Sequence, residues 1–333
     1  MGKIKNSAAG MPPLVFSHIY SSAPWGGGWL KTLFGRIDAP EVCSESWEIS
    51  GHQFGMSVVS GGELSGRTLA SLAEEYGADL VGSKAAAPSR FPLLFKLLDA
   101  RRSLSVQVHP NVKSAVATGG EPKTEAWVVL AAAPGASLYA GVRRGVKEKL
   151  FREAVAQGEA IVGLLERHSV KAGDVLYIPG GVVHAIGAGC LIYEVQQSSN
   201  STYRFYDWDR VDAYGRGRPL HLDQAFKALD LAFPPVAVHR AAKACADGAN
   251  VWKSLVKCPS FQIRELELAD EVKLPMDGGS FVAVFALEGG VKIETEAGAV
   301  EVMRGGSALV PASSGSCALR ARTSATRLIV TTL

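Results

Sequence analysis

Gly173-Asp174-Val175-Leu176-Tyr177-Ile178-Pro179-Gly180-Gly181-Val182-Val183-His184 is the stretch whose reading decides the fold. It reads as a turn, a short buried strand, and a second turn that leads towards another strand and carries a histidine. Glycine and proline bound an apolar, β-branched run, which is how a strand between tight turns is written. A fainter second copy occurs further on. Gly306-Ser307-Ala308-Leu309-Val310-Pro311 repeats the pattern, and Ser316 lies five residues past its proline, as His184 lies five past Pro179. If the two runs are equivalent, the second lacks the imidazole.

Working outward, similar short apolar segments recur at 57–59, 104–108, 126–131, 191–195, 281–287 and 328–332. Short strands with Gly or Pro at their ends point to an antiparallel sandwich or barrel. Helical periodicity is confined to 68–76, 147–156 and 221–231. The expected fold class is therefore mainly β with inserted helices. The stretch 232–250, with Pro234-Pro235 and an Ala-rich polar run, reads as a connection between two β units. That gives an N-terminal unit over 1–235 and a smaller one over 250–333.

The chain has 333 residues and a formal charge of +3. So slight an excess makes no electrostatic case for nucleic acid or a membrane surface, and an anionic substrate is compatible with it. Cys43, Cys190, Cys245, Cys258 and Cys317 are scattered, odd in number and free of any Cys-x-x-Cys pair. Neither a disulfide framework nor a thiolate zinc site is suggested, and a reducing cytoplasm is the simplest context. Residues 1–13 lack a sustained apolar core, and no run approaches the length of a spanning helix, so a soluble cytoplasmic protein is expected.

Four positions are candidates for a metal site. Alternation along Gln107-Val108-His109 puts Gln107 and His109 on one strand face and Val106 and Val108 on the other. Glu125 precedes the 126–131 strand, and His184 closes the opening stretch. Imidazole and carboxylate suit zinc and related divalent ions, and three protein ligands leave room for substrate or water. Spacing alone does not bring the four together, and a lone histidine in a strand is usually structural.

Context narrows the choice. Gly173-Asp174 followed by Pro179-x-Gly-x-x-His184 matches the second conserved motif of the cupin superfamily. The first cupin motif is met loosely: Gln107-x-His109 stands where His-x-His is usual, and Glu125 lies far downstream, across an insertion at 110–122. With these departures the chain resembles the type I mannose-6-phosphate isomerases, in their short bacterial form. The matching stretches are Trp25-Gly26-Gly27, Glu45-Ser46-Trp47-Glu48, Phe91-Pro92-Leu93-Leu94-Phe95-Lys96, Leu104 through Asn111, Lys123-Thr124-Glu125-Ala126-Trp127, Gly173 through Ile186, and Gln196 through Arg204. They run in family order from residue 14 to about 230; beyond 250 the likeness is architectural.

The resemblance implies two cupin jelly-roll units, with the metal site in the first and none in the second. It implies one zinc ion per chain on His109, Glu125 and His184, with Gln107 a fourth ligand. It makes Arg204 an essential active-site residue, associates Lys96 and Ser105 with phosphate recognition, and places Lys123, Glu194 and Glu48 along the pocket. The implied reaction exchanges mannose 6-phosphate and fructose 6-phosphate through an enediol, with Lys123, Glu194 or metal-bound water moving the proton. Against these roles, Lys123 and Glu194 would simply pair with neighbouring charges, and Arg204 would anchor the loop Asp207-Trp208-Asp209. Trp25 and Trp47 read as packing, and His52 and His221 as structural. A monomer or homodimer acting on a sugar phosphate is expected. The competing readings are another metal-dependent cupin, an oxygenase, and a sugar-sensing cupin without turnover.

Overall fold

The computed structural model describes residues 10–212, 214–234, 236–240 and 244–333. Residues 1–9 of the N-terminal stretch, and 235 and 241–243 of the expected connection, lie outside the described residues. Two compact units are present. One is drawn from Met1–Ile19, Trp47–Phe95 and Ala241–Leu333, the other from Tyr20–Ser46 and Lys96–Arg240. The expected division at 235 and 250 followed chain order, and these units do not: segments from the first hundred residues group with the C-terminal strands. Among the described residues no helix is long and apolar enough to cross a membrane.

The unit built on Lys96–Arg240 contains two sheets. The first orders Leu93–Ala100, Cys190–Gln197, Glu125–Ala132 and Val175–Ile178, the first of these strands entering the unit at Lys96. The second orders Tyr203–Tyr206, Val106–Val108, His184–Ile186, Ser137–Val142 and Leu165–Ser169. Leu98, Trp127, Val129, Leu138, Ile178, Ile186 and Ile192 meet in one buried cluster, so the two sheets share an interior. Val106, Val108, Val183, Ala185 and Phe205 join a different cluster with Phe151 and Ala225, residues of helices Glu148–Ala156 and Leu222–Ala228. The second sheet is thus covered on its outer face by helices.

This double covering explains the side-chain directions, because a strand residue shares its face with its neighbours two away. With Val106 and Val108 outward, Gln107 turns inward; with Val183 and Ala185 outward, His184 turns inward. Tyr203 and Phe205 outward leave Arg204 inward. In the first sheet, inward Leu98, Trp127 and Ile192 bring Lys96, Glu125 and Glu194 to the same interior.

The other unit orders Ala244–Asp247, Asn250–Lys257, Gln262–Leu268, Thr326–Thr332, Val282–Glu288 and Ser307–Val310 in one sheet. The second sheet orders Glu271–Leu274, Cys317–Ala321, Gly290–Thr295 and Gly298–Met303. Counted along the chain, the eight strands from Gln262–Leu268 to Thr326–Thr332 pair as do the eight from Leu93–Ala100 to Cys190–Gln197. In both, the first, eighth, third and sixth form one sheet and the second, seventh, fourth and fifth the other. The repeat is therefore real at the level of topology, and the fold is the mainly β, cupin-type jelly roll expected.

Register shows what replaced the site in the second copy. Glu125 pairs with Ile178, the residue before Pro179, while Val282 pairs with Val310, the residue before Pro311. His184 pairs with Gln107, and Cys317 with Leu274. Val282, Leu274 and Cys317 are all buried in that unit's apolar core. Cys317, not Ser316, stands at the inward place; Ser316 is exposed. The one-residue offset arose from counting past the proline instead of following the strand face.

Other differences are local. Residues 57–59 form only isolated bridges, at Val58 and Val59. Part of the expected connection is a strand, Ala244–Asp247, paired with Asn250–Lys257. The insertion at 110–122 holds helix Val112–Thr118, started by an Asn111–Ser114 capping box. Helices Trp29–Phe34 and Ala78–Val81 and a 3₁₀ segment, Gly158–Leu164, also went unread. Each is too short for periodicity to register.

Candidate metal centre

His109, Glu125 and His184 are buried together, with their ligand atoms within 4.8 Å of one another. His109 follows Val106–Val108, His184 opens His184–Ile186, and Glu125 opens Glu125–Ala132. The turn between Val175–Ile178 and His184–Ile186 is what joins them. Gly181 donates its N–H to the His109 carbonyl at 2.7 Å, and Gly180 lies against Pro110 and Asn111. The glycines of the opening stretch thus hold the two histidine-bearing segments in contact.

Each imidazole has one nitrogen facing a carbonyl oxygen. His109 Nδ1 is 2.7 Å from the Ser201 carbonyl, and His184 Nδ1 is 2.9 Å from that of Val182. A ring nitrogen facing a carbonyl must carry the proton, which leaves both Nε2 lone pairs for the interior. His109 Nε2 is 3.3 Å from Glu125 Oε2, and His184 Nε2 is 3.4 Å from Glu125 Oε1. Ligands at ~2.1 Å from a tetrahedral centre lie ~3.4 Å apart. Among the described residues Glu125 Oε1 is also buried without a hydrogen-bond partner, the mark of an acceptor waiting for a cation. The donor set fits a divalent ion.

Gln107 is beside this cluster. Its Nε2 is 3.3 Å from His184 Nε2, and its Oε1 accepts from the Ser105 hydroxyl at 3.0 Å. Turning the amide over would present the oxygen to the cluster, and the Ser105 hydroxyl serves equally as acceptor or donor.

Electrostatics favour the metal-ready forms. Burial, then the charge of Lys123, pushes His109 down to about 3. Burial likewise lowers His184. For Glu125 burial acts upward, but Lys123 and the imidazoles outweigh it and hold the carboxyl well below its ordinary value. Neutral imidazoles and an ionised carboxylate are the forms that bind metal. Lys123 donates to Glu125 Oε2 at 2.7 Å and lies 2.9 Å from His109 Nε2.

A cavity opens beside the cluster, lined by Lys96, Ser105, Gln107, Lys123, Glu194 and Arg204 among others. Glu194 accepts from Trp127 Nε1 at 3.0 Å and lies 3.9 Å from Lys96. Burial, then the charge of Glu125, raises it to about 7. Lys96 sits 3.1 Å from Glu45, and these carboxylates outweigh the burial that would lower it, so its pKa is raised. Arg204 does not anchor the acidic loop: Asp207 is held by Arg210 and Arg218, and Asp209 accepts from Tyr206. Among the described residues Arg204 Nε is buried without a hydrogen-bond partner.

Glu48 is the one expected pocket residue placed elsewhere. It belongs to the other unit, where it accepts from Ser307 Oγ at 3.1 Å. Glu45, three residues earlier on strand Glu45–His52, lines the cavity instead. An odd separation on a strand means opposite faces, a signal the sequence already carried. Trp25 serves both purposes, buried in the core and lining the cavity; Trp47 is buried beside Gly55. His52 Nδ1 accepts from the Phe54 N–H. His221 pins the main chain of Arg204 from both sides, its Nδ1 accepting from the Arg204 N–H at 3.3 Å and its own N–H donating to the Arg204 carbonyl at 3.0 Å.

A jelly roll with His, Glu and His turned inward beside a charged cavity defines a metal-binding cupin. Residues 17–140 match the family model for the catalytic domain of type I phosphomannose isomerase. A mannose-6-phosphate isomerase of Streptococcus mutans serotype c is 38% identical over 82% of this chain and 84% of its own length. The chain belongs to the type I phosphomannose isomerase family. Mannose-6-phosphate isomerase ManA of Bacillus subtilis (strain 168) is 36% identical over 83% of this chain and 86% of its own. The crystal structure of the mannose 6-phosphate isomerase from Bacillus subtilis superposes with a TM-score of 0.85 at 30% identity, covering 96% of this chain and 99% of that one.

Proposed function

We propose that the protein interconverts mannose 6-phosphate and fructose 6-phosphate, using one zinc ion held by His109, Glu125 and His184 with Gln107 as the fourth ligand. The observation that carries the reading is the meeting of those three residues beside a cavity walled by Lys123, Glu194 and Arg204. When bound, the ion supplies Lewis-acid polarisation of oxygens on the first two sugar carbons.

The chain's own residues supply the rest. Arg204 faces the cavity with its backbone fixed by His221, so its guanidinium stabilises negative charge with little reorganisation. Glu194 moves the proton between the two carbons. Burial raises its carboxyl above the ordinary range, which suits it to accept and return a proton, and Trp127 fixes its orientation. Lys123 donates to Glu125 and so orients a ligand. Ser105 supports Gln107 and Lys96 supports Glu194, each while lining the cavity.

Incubating mannose 6-phosphate with the zinc-loaded protein in deuterium oxide tests this. Nuclear magnetic resonance should show fructose 6-phosphate appearing with deuterium at C1. Absence of the ketose would end the isomerase reading, and oxygen consumption without it would favour a different cupin chemistry.

A further inference from the structure

The charges lining the cavity are unevenly matched. Lys96 lies 3.1 Å from Glu45 and 3.9 Å from Glu194, and Lys123 is committed to Glu125. Each ammonium already has carboxylates beside it. By contrast, Asp207 binds two guanidiniums, those of Arg210 and the cavity-lining Arg218, and Arg204 lies within electrostatic reach of all three. Three guanidiniums around one carboxylate leave an excess of positive charge at that end. Arg204 Nε is buried without a hydrogen-bond partner among the described residues. Asn200 and Thr202 also line the cavity.

Depth separates the two ends as well. His109 and His184 side chains are 1% exposed, whereas Arg218 lines the cavity with 32% of its side chain exposed. A sugar phosphate has its reacting carbons at one end and a dianion at the other. Seating the carbons at the buried cluster directs the dianion towards the accessible, cationic end.

Asp207 also fixes how Arg218 is presented. It accepts from Arg218 Nε at 2.7 Å and from Nη2 at 2.5 Å, gripping one edge of the planar group. The edge carrying Nη1 is left for a ligand, in the fork geometry that suits phosphate oxygens. Holding a long side chain in place beforehand lowers the entropy lost on binding.

We propose that Arg218, aimed by Asp207, binds the substrate's phosphate and sets the preference for phosphorylated sugars. The inference rests on the isomerase reading for the identity of the sugar, though not for the binding of its phosphate. It assigns the phosphate to Arg218, with Lys96 acting instead as the counter-charge of Glu194.

The test is calorimetric titration of the zinc-loaded protein and its Arg218→Ala and Arg218→Lys variants with mannose 6-phosphate, alongside steady-state kinetics. Arg218→Ala leaves Asp207 paired with Arg210, so the loop keeps a partner. It should weaken binding on the order of 10- to 100-fold, the range for losing a charged hydrogen bond. KM should rise by more than kcat falls, and Arg218→Lys should recover part of the loss. Unchanged binding in a folded Arg218→Ala variant with normal zinc content overturns the proposal, as does a loss confined to kcat. A wild type that binds mannose 6-phosphate without converting it removes the isomerase reading, while the Arg218→Ala comparison still decides this one.

Discussion

Arg204 and His184 both face the interior from strands on either side of Val106–Val108, and substitution should separate their roles. Arg204→Ala removes a guanidinium that makes no contribution to the His-Glu-His cluster. It should retain stoichiometric metal by elemental analysis while turnover falls ~100-fold or more, the usual cost of losing a charge-stabilising donor. Normal turnover would remove Arg204 from the chemistry. His184→Ala should lose metal and activity together. Glu194 offers a pH test. Its pKa is about 7 against an ordinary 4.5, so between those values the folded protein holds a proton that the unfolded chain has released. Stability from this group is full below about 4.5 and is lost as pH rises through 7. Glu194→Gln should therefore gain stability relative to the metal-free wild type as pH goes from 4.5 to 8, judged by denaturant unfolding. A difference independent of pH would contradict the burial argument.

At the level of elements, the turn Pro179–Gly180–Gly181 decides whether the site forms. A β-carbon on Gly180 would come within 2.6 Å of the Pro110 carbonyl oxygen and 2.8 Å of the Asn111 backbone. Those atoms adjoin His109 and have no freedom to move without moving it. Gly180→Ala should cost ~1–3 kcal/mol of stability and weaken metal binding, measured by unfolding and by metal titration. Wild-type values for both would show the turn to be dispensable. This turn was legible in the sequence, since glycine, proline and the following histidine stand at fixed offsets. So was the inward side of each strand, wherever apolar residues alternate with polar ones, as at Val106-Gln107-Val108. Glu45 was missed for a related reason: strand Glu45–His52 is buried along nearly its whole length, so burial gives no alternation to choose between Glu45 and Glu48. His221 could not be assigned to Arg204 because its partner is 17 residues away and meets it only through backbone atoms.

For the molecule as a whole, sequence disclosed a repeat but not its extent. The two runs before Pro179 and Pro311 are two strands out of sixteen that pair in the same order, and strand pairing between distant segments leaves little local trace. The division into units was hidden for the same reason, since Trp47–Phe95 joins strands two hundred residues away in the chain. The second copy keeps the jelly roll and has Val282, Leu274 and Cys317 where the first has Glu125, Gln107 and His184. One metal per chain is therefore expected by elemental analysis, and a value near two would show that the second copy retains a site. The most direct measurement is conversion of mannose 6-phosphate to fructose 6-phosphate, followed in a coupled assay before chelation, after it, and after zinc is restored. Turnover should vanish with the metal and return with it. Full activity in metal-free protein, or none in the zinc-loaded protein, would contradict a metal-dependent isomerase built on His109, Glu125 and His184.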